Sequence, residues 1–207
     1  MLSKLVALFA VVAVSVALVF VWRFAIFILP FNWTGEADRL ASLLRIGPGT
    51  TVADVGAGNG ALAVEMARRV GEHGLVYATE LSADRREAIA ERVSRARLAN
   101  VRIVEAKDQA TGLPDACCDG LYLRTVLHHV ADRPAFARAL LRAVKPGGRV
   151  AIIDFAPGTL WFHGSDHGVR TEDAVRAHAE AGFTLVQQVE NWGGGTYALV
   201  FERKDAR

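Results

Sequence analysis

The sequence predicts an α/β fold, a doubly wound and mostly parallel sheet of seven strands with helices on both faces and an antiparallel hairpin at the C-terminal end. Short apolar runs alternate with helical stretches along most of the chain, and glycines or prolines separate them. Only a short glycine-rich stretch, residues 191–195, separates the last two apolar runs. This spacing favours an antiparallel hairpin.

The first half of the domain is predicted to contain three helix–strand pairs. Leucines recur at helical spacing in "EADRLASLLRI" and end before Gly47, the third helix follows a capping Ser82, and Gly71 stops the second. The predicted elements are helix 36–46, strand 50–55, helix 60–70, strand 75–81, helix 83–98 and strand 101–106.

The second half continues this alternation and ends in two strands without a helix between them. A run of proline and glycine, residues 146–148, breaks the first helix of this half, and an irregular stretch over residues 156–170 precedes the second. The predicted elements are strand 120–127, helix 134–144, strand 149–155, helix 171–182, and strands 183–191 and 195–203.

A long apolar run precedes this domain. Residues 5–22 carry no charge, and at about 1.5 Å per residue such a helix spans about 27 Å, close to the thickness of a bilayer core. Pro30 favours a helix end, and the nearby tryptophans suit a membrane interface. We therefore expect one transmembrane anchor over residues 1–33 and a single domain over residues 34–207. A cleaved signal peptide and a buried or interfacial helix are the alternatives.

Charge and cysteine content exclude several classes of site. The net charge of +2 is accounted for by Lys4 and Arg23 within residues 1–33, so the domain is formally neutral and a basic nucleic-acid surface is not expected. The two cysteines, Cys117 and Cys118, are adjacent. Adjacent cysteines favour neither a disulfide framework nor a metal site, and we interpret them as ordinary loop thiols.

A carboxylate and three glycines follow the first predicted strand. In "TVADVGAGNGA", Asp54 precedes Gly56, Gly58 and Gly60, and ligands of open α/β sheets bind at the carboxyl ends of the strands. The same letters fit a dinucleotide fingerprint. However, Asp54 would repel a pyrophosphate, whereas it would suit a phosphate-free ligand with an amino group and a sulfonium cation.

These residues resemble the first motif of the class I S-adenosylmethionine-dependent methyltransferases, in particular the small-molecule, type-11-like members. The resemblance continues through "ATELS", "AKDQATGLP", "DGLYLRTVLHHV", "LLRAVKPGGRVAIIDF" and "AGFTLV", and it covers roughly residues 38–202. Lys107 stands where the family usually has glycine. The resemblance implies a Rossmann-like fold and S-adenosylmethionine as the cofactor.

The resemblance also implies which residues bind the cofactor. Glu80 would accept hydrogen bonds from the ribose hydroxyls, and Asp108 would contact the adenine amino group with Gln109 beside the ring. For Arg124, a salt bridge to the substrate, to Asp119 or to Asp154 is equally compatible with the sequence. The predicted cofactor-binding residues are Asp54, Gly56, Ala57, Gly58, Gly60, Glu80, Leu81, Asp108, Gln109 and Arg124.

The acceptor side is predicted from residues that follow the fourth and fifth strands. His128, His129 and Asp154 are candidate bases, although packing at the start of a helix explains one histidine equally well. No third metal ligand is near them in sequence, so no metal is expected. Asp119 is interpreted as a brace for the glycine turn. The predicted substrate contacts, in a region that lines the acceptor pocket in the family, are Trp161, His163, His167 and Arg170.

The predicted function is methyl transfer from S-adenosylmethionine to a small acceptor. The apolar N-terminal segment favours a hydrophobic or membrane-associated acceptor, such as a lipid or quinone, and a single-pass membrane protein with its catalytic domain on the cytoplasmic side, where the donor is made. Two alternatives are an NAD(P)-dependent oxidoreductase that uses the same glycine turn, and a non-catalytic membrane-tethered module that binds a nucleoside.

Overall fold

Seven strands form one mixed sheet in the computed structural model, which describes residues 32–107, 110–159 and 168–204. The strands are β1 Thr51–Val55, β2 Leu75–Glu80, β3 Val101–Glu105, β4 Cys118–Arg124, β5 Val144–Phe155, β6 Phe183–Gly193 and β7 Thr196–Arg203. Their order across the sheet is β3-β2-β1-β4-β5-β7-β6. Strands β1 to β5 are parallel, and β7 pairs antiparallel with both β5 and β6. The predicted doubly wound sheet with an antiparallel C-terminal hairpin is thereby confirmed.

Five α-helices connect the strands in the described part of the chain. They are α1 Trp33–Leu44, α2 Ala61–Val70, α3 Ala83–Arg95, α4 Arg133–Ala143 and α5 Thr171–Ala181, and a short 3₁₀ turn spans Leu127–His129. Helix α1 begins three residues before the predicted start. The predicted cap of α3 is present, because the Ser82 hydroxyl accepts a hydrogen bond from the Arg85 amide at 3.4 Å.

Two hydrophobic clusters cover the two faces of the sheet. Successive side chains of a strand point to opposite faces, so Leu121 and Tyr122 of β4 belong to different clusters. Helices α4 and α5 pack on one face through residues such as Leu140 and Ala174. Helices α1 and α2 pack on the other through Leu40 and Met66. These two layers confirm the prediction of helices on both faces.

Strand β5 begins earlier than predicted. The proline–glycine run at residues 146–148 was expected to lie before the strand, but it is included in β5 at a register shift opposite Cys118 and Gly120. A Cβ on Gly148 would lie 2.7 Å from the Asp119 carbonyl oxygen, so glycine is required for this close approach. Cys118 is correspondingly a buried strand residue, and its interpretation as a loop thiol was wrong.

Among the described residues, no helix is both long and apolar enough to cross a bilayer. The predicted anchor falls almost entirely on residues 1–31, which lie outside the described residues. The anchor and the boundary near residue 33 therefore stay predictions.

A buried histidine in α5 should make the fold sensitive to mild acid. His178 is fully buried, stacks on Phe201 with ring centroids 4.7 Å apart, and donates through Nδ1 to the Ala174 carbonyl at 2.8 Å. Its Nε2 has no hydrogen-bond partner in the described structure. Burial lowers the pKa of His178 to about 4 from the ordinary 6.5, because the charged ring would lose its hydration.

We expect the free energy of unfolding to fall by about 1 kcal/mol between pH 7.5 and pH 5.5 through His178 alone. The unfolded chain takes up a proton below pH 6.5 and the folded chain does not, so the folded state loses stability as the pH falls from 6.5 towards 4. Urea unfolding at several pH values measures this slope. The His178→Phe variant should show a shallower slope, and His73→Gln, which alters an exposed histidine, should not. Equal slopes in the wild type and in His178→Phe would contradict the assignment.

Candidate active site

A cavity of about 640 Å³ opens at the carboxyl ends of β1, β2 and β4. The order of the strands reverses between β1 and β4, and such switch points are where open α/β sheets bind ligands. The volume lies within the range of small-molecule sites. The cavity therefore lies at the edge of the sheet where the ligand site was predicted.

The glycine turn forms one wall of the cavity. Gly56, Ala57 and Gly58 line it, and Gly56 has a φ of 75° that favours glycine. A Cβ on Gly56 would lie only 2.6 Å from Cγ2 of Val126. Gly60 does not line the cavity; it stands before α2, where a Cβ would press against Ile89 at 3.1 Å. Of the three glycines, Gly56 and Gly58 line the cavity, whereas Gly60 packs against Ile89 at the start of α2.

Asp54 is a buried carboxyl group in the cavity wall. It is 3% exposed and pairs in register with Tyr122 of β4. Burial raises the pKa of Asp54 to about 7, the Tyr122 hydroxyl beside it lowers the pKa to a smaller extent, and the charge of Glu80 raises it further. Neither Asp54 Oδ2 nor that hydroxyl forms a well-aligned hydrogen bond within the described residues. A cationic ligand would stabilise the ionised carboxylate.

Glu80 braces the glycine turn and also lines the cavity. Its Oε2 accepts from the Gly58 amide at 2.9 Å, and its Oε1 accepts from the amides of Leu81 at 2.9 Å and Ser82 at 3.2 Å. Each carboxylate oxygen can accept more than one hydrogen bond, so Glu80 keeps capacity for a ligand hydroxyl.

Asp119 was predicted to brace this turn, and that interpretation was wrong. Its carboxylate accepts from the Thr51 amide at 2.8 Å and from Lys145 Nζ at 2.7 Å. Thr51 and Asp119 stand at the amino ends of β1 and β4, whereas the glycine turn follows the carboxyl end of β1. The acid that supports the turn is Glu80.

The adenine end is described only in part. Leu81 lines the cavity and is 55% exposed, which is unusual for a large apolar side chain in the described structure. The predicted adenine contacts Asp108 and Gln109 lie outside the described residues. The residues that flank them, Lys107 and Ala110, pair with each other and both line the cavity.

The three candidate bases occupy different environments. His128 and Asp154 form a buried pair, with Nδ1 of the ring 2.8 Å from Oδ1 and the His128 amide 3.2 Å from Oδ2. Asp154 also accepts from the Phe155 amide, and neither member of the pair lines the cavity. His129 does line it. The pair therefore positions the turn that carries His129.

Arg124 lines the cavity beside Trp33, but its carboxylate partner is neither Asp119 nor Asp154. Its Nε donates to Oε1 of Glu36 at 3.0 Å, and its guanidinium lies 5.7 Å from the centre of the Trp33 ring. Sequence reasoning missed Trp33 and Glu36 because it placed Trp33 in the anchor. An aromatic residue and a carboxylate three positions apart, just before a leucine repeat, were the available signal.

The predicted substrate contacts are mostly untested. Trp161, His163 and His167 lie outside the described residues. Arg170 is exposed immediately before α5 and does not line the cavity. Among the described residues there is no group of three or more histidine, cysteine or acidic side chains arranged to hold a metal ion.

Comparison with known proteins identifies the domain that carries this cavity. Residues 53–152 match the family model described as a methyltransferase domain. The match covers just under half of the chain and shows similarity to this family over that segment. The match begins one residue before Asp54 and includes the glycine turn, Glu80, Arg124, His128 and His129.

Two curated relatives and one solved structure illustrate the similarity. The chain is 31% identical over 113 residues, 54% of its length, to a ubiquinone/menaquinone biosynthesis C-methyltransferase of Serratia proteamaculans, and it covers 45% of that protein. It is 33% identical over 123 residues, 59% of its length, to the 27-O-demethylrifamycin SV methyltransferase of Amycolatopsis mediterranei, and it covers 44% of that protein. The chain thus spans about half the length of these relatives. A SAM-dependent methyltransferase structure from Aquifex aeolicus superposes with a TM-score of 0.72 and 23% identity, over 81% of this chain and 89% of that one.

The matched segment has groups that fit S-adenosylmethionine. Asp54, a buried carboxyl without a well-formed hydrogen bond, lines the cavity, and the space beside Gly56 leaves no room for a side chain. At the level of this segment, the family model and the curated relatives confirm the predicted class of enzyme and the predicted cofactor.

Proposed function

We propose that this chain transfers a methyl group from S-adenosylmethionine to a small, apolar acceptor that carries a quinone-like ring. The observation that supports this proposal most directly is the mixed lining of the cavity. Two carboxyl groups line it, those of Asp54 and Glu80, together with several apolar and aromatic side chains, namely Trp33, Val126, Val130, Ala131 and Phe136.

The two acidic residues of the cavity lining suit the donor. S-adenosylmethionine supplies a methyl group that its sulfonium already activates. Asp54 would hold the cationic amino acid portion, the backbone of Gly56 and Gly58 would approach the ligand closely, and Glu80 would accept from the ribose hydroxyls. These residues orient and desolvate the donor, which supplies most of what an in-line displacement needs.

The apolar and aromatic residues of the cavity lining suit a flat, hydrophobic acceptor. Aromatic side chains such as Trp33 and Phe136 pack well on planar rings, and the surrounding apolar residues exclude water. His129 would take a proton from the acceptor, because it is the one candidate base that lines the cavity in the described structure. The activity for which the Serratia relative is named, C-methylation in ubiquinone and menaquinone biosynthesis, supports a quinone-like ring over a lipid headgroup.

We further propose that residues 1–33 anchor the enzyme to a membrane with its catalytic domain on the cytoplasmic side. The uncharged run over residues 5–22 supports the anchor. A membrane location would also place the enzyme where hydrophobic acceptors concentrate.

The test uses the full chain in detergent micelles. Calorimetry should show binding of S-adenosylmethionine and no binding of NAD, and S-adenosylhomocysteine should accumulate with a prenylated 1,4-naphthohydroquinone but not with water-soluble catechol. Turnover on catechol alone would contradict the apolar acceptor, and binding of NAD without the methyl donor would contradict the transfer. Fractionation of cells that express the chain with and without residues 1–31 tests the anchor.

Replacement of His129 should affect turnover without affecting donor binding. We expect His129→Ala to lower turnover while it leaves the Kd for S-adenosylhomocysteine within about twofold, because no contact to the donor is assigned to this ring. Calorimetry and a turnover assay measure the two quantities, with Asp54→Asn as the contrasting variant. A tenfold loss of donor affinity would instead place the imidazole against the donor.

A further inference from the structure

A buried glutamate joins the first described helix to the C-terminal hairpin. Glu36 of α1 is 5% exposed, and its Oε1 accepts from Arg124 Nε at 3.0 Å and from Trp192 Nε1 at 2.8 Å. Trp192 belongs to β6 and is itself buried. One carboxylate oxygen therefore connects α1, the end of β4 and the hairpin.

A second contact strengthens this connection. The Arg39 guanidinium lies 3.5 Å from the centre of the Trp192 ring and donates to the Trp192 carbonyl at 2.6 Å. Cation–π contacts and charge-assisted hydrogen bonds of this kind are individually modest, but together they fix the orientation of the indole. Trp192 is thus held from two positions on α1.

Two members of this network line the cavity and three do not. Trp33 and Arg124 line it, whereas Glu36, Arg39 and Trp192 do not. Trp33 and Glu36 are three residues apart, so they lie on the same side of α1. The position of the Glu36 carboxylate consequently sets where the Trp33–Arg124 wall stands.

The wall and the proposed donor groups belong to different elements. Asp54, the glycine turn and Glu80 belong to β1, β2 and the turn that follows β1, and within the described residues no hydrogen bond joins them to Glu36 or Trp192. Arg124 was predicted among the cofactor contacts, and we assign it here to the acceptor, so a change at Glu36 should affect acceptor binding more than donor binding.

We propose that Glu36 is a positioning residue for the acceptor: it holds Arg124 and the Trp33 wall in place against the C-terminal hairpin, and so determines acceptor affinity without contributing to donor affinity. This inference rests on the proposed function, because it assumes that the apolar residues of the cavity lining bind the acceptor.

The test compares Glu36→Gln with a matched control. In the control pair, Arg149 Nε lies 3.0 Å from Glu202 Oε2, the same distance as in the Arg124–Glu36 pair, and Arg149 also donates to the Leu43 carbonyl of α1. Neither Arg149 nor Glu202 lines the cavity. Affinity for 1,4-naphthoquinone is measured by equilibrium dialysis, and affinity for S-adenosylhomocysteine by calorimetry.

We expect Glu36→Gln to weaken naphthoquinone binding by about five- to tenfold and to change S-adenosylhomocysteine binding by less than twofold. Glu202→Gln should change neither. Trp192→Phe, which removes the indole N–H and leaves a smaller aromatic ring, should weaken naphthoquinone binding in the same direction by a smaller factor, and it serves if Glu36→Gln fails to fold. Equal losses for both ligands, or no loss for naphthoquinone, would overturn the inference.

A second measurement does not depend on the acceptor. Arginine-selective modification by phenylglyoxal, followed by peptide mass spectrometry, reports how firmly Arg124 is held. Arg124 should react several-fold faster in Glu36→Gln than in the wild type or in Glu202→Gln. If the wild type binds no naphthoquinone, the quinone-like acceptor is refuted, and the reactivity of Arg124 still decides the role of Glu36: unchanged reactivity overturns it.

Discussion

Replacement of Asp54 by asparagine should weaken the binding of S-adenosylmethionine by about 1–3 kcal/mol, or roughly five- to 150-fold, which is the usual effect of losing a charge-assisted contact. Asp54 is buried in the cavity wall, and its Oδ2 has no well-formed hydrogen bond in the described structure. An amide keeps the size of the side chain and removes its negative charge. Calorimetric titration of the full chain measures the loss.

The same carboxyl should make donor binding depend on pH. Asp54 has a pKa of about 7, so it is mostly neutral at pH 6 and mostly ionised at pH 8, and a cationic ligand binds the ionised form better. Wild-type affinity should therefore rise between pH 6 and pH 8, and the affinity of Asp54→Asn should change less. Folded Asp54→Asn protein with unchanged affinity and an unchanged pH profile would refute the assigned role.

Stability provides a control for this variant. Because the pKa of Asp54 is raised from 3.8 to about 7, the folded state holds a proton that the unfolded chain has lost, and this group destabilises the fold progressively as the pH rises from about 4 to 7. Asp54→Asn should therefore unfold no more easily than the wild type at pH 8. A loss of affinity together with retained stability separates a binding role from a structural one.

Replacement of Gly56 by alanine should nearly abolish donor binding. The left-handed φ of 75° costs a residue with a Cβ about 1–2 kcal/mol, and the new Cβ would lie 2.6 Å from Val126 Cγ2. Val126 lines the same cavity, so relief of this overlap would move the cavity wall. Calorimetry of the folded variant should show a loss of affinity at least as large as that of Asp54→Asn.

Two further variants separate strain from overlap. Gly49 has a φ of 83° with open space around its Cβ position and does not line the cavity, so Gly49→Ala should lower stability but keep donor affinity. Combining Gly56→Ala with Val126→Ala removes the overlapping methyl groups and should restore part of the affinity. If Gly49→Ala and Gly56→Ala behave alike in binding, the close approach at Gly56 has no role in the site.

The order of elements and the cavity residues around the glycine turn were predictable because their signals are local. Glycine and proline mark the ends of most strands and helices, Ser82 marks a cap, and Asp54 stands next to the turn that it serves in the sequence. Glu80 was also predicted, at the end of the second strand. Its hydrogen bond to Gly58 was not, because that contact depends on how β1 and β2 align.

The network around Glu36 was less predictable because its contacts are distant in sequence. Glu36 and Trp192 are separated by 156 positions, and no local pattern connects them. The predicted partners of Arg124 were acids on neighbouring strands, yet its carboxylate partner lies on a helix near the start of the domain. The alternation of polar and apolar residues indicates which side chains are buried, but it does not indicate which buried polar groups meet.

The hydrogen bond between Glu36 and Trp192 has a consequence for synthesis on the ribosome. Strands β1 and β2 and the glycine turn are complete when fewer than half of the residues have been made, whereas Trp192 emerges near the end of translation. A nascent or prematurely terminated polypeptide that stops before residue 192 lacks both the indole that binds Glu36 and β7, the strand that pairs with β5 and β6. Helix α1 should therefore gain this buried hydrogen bond only after almost the whole domain has been synthesised.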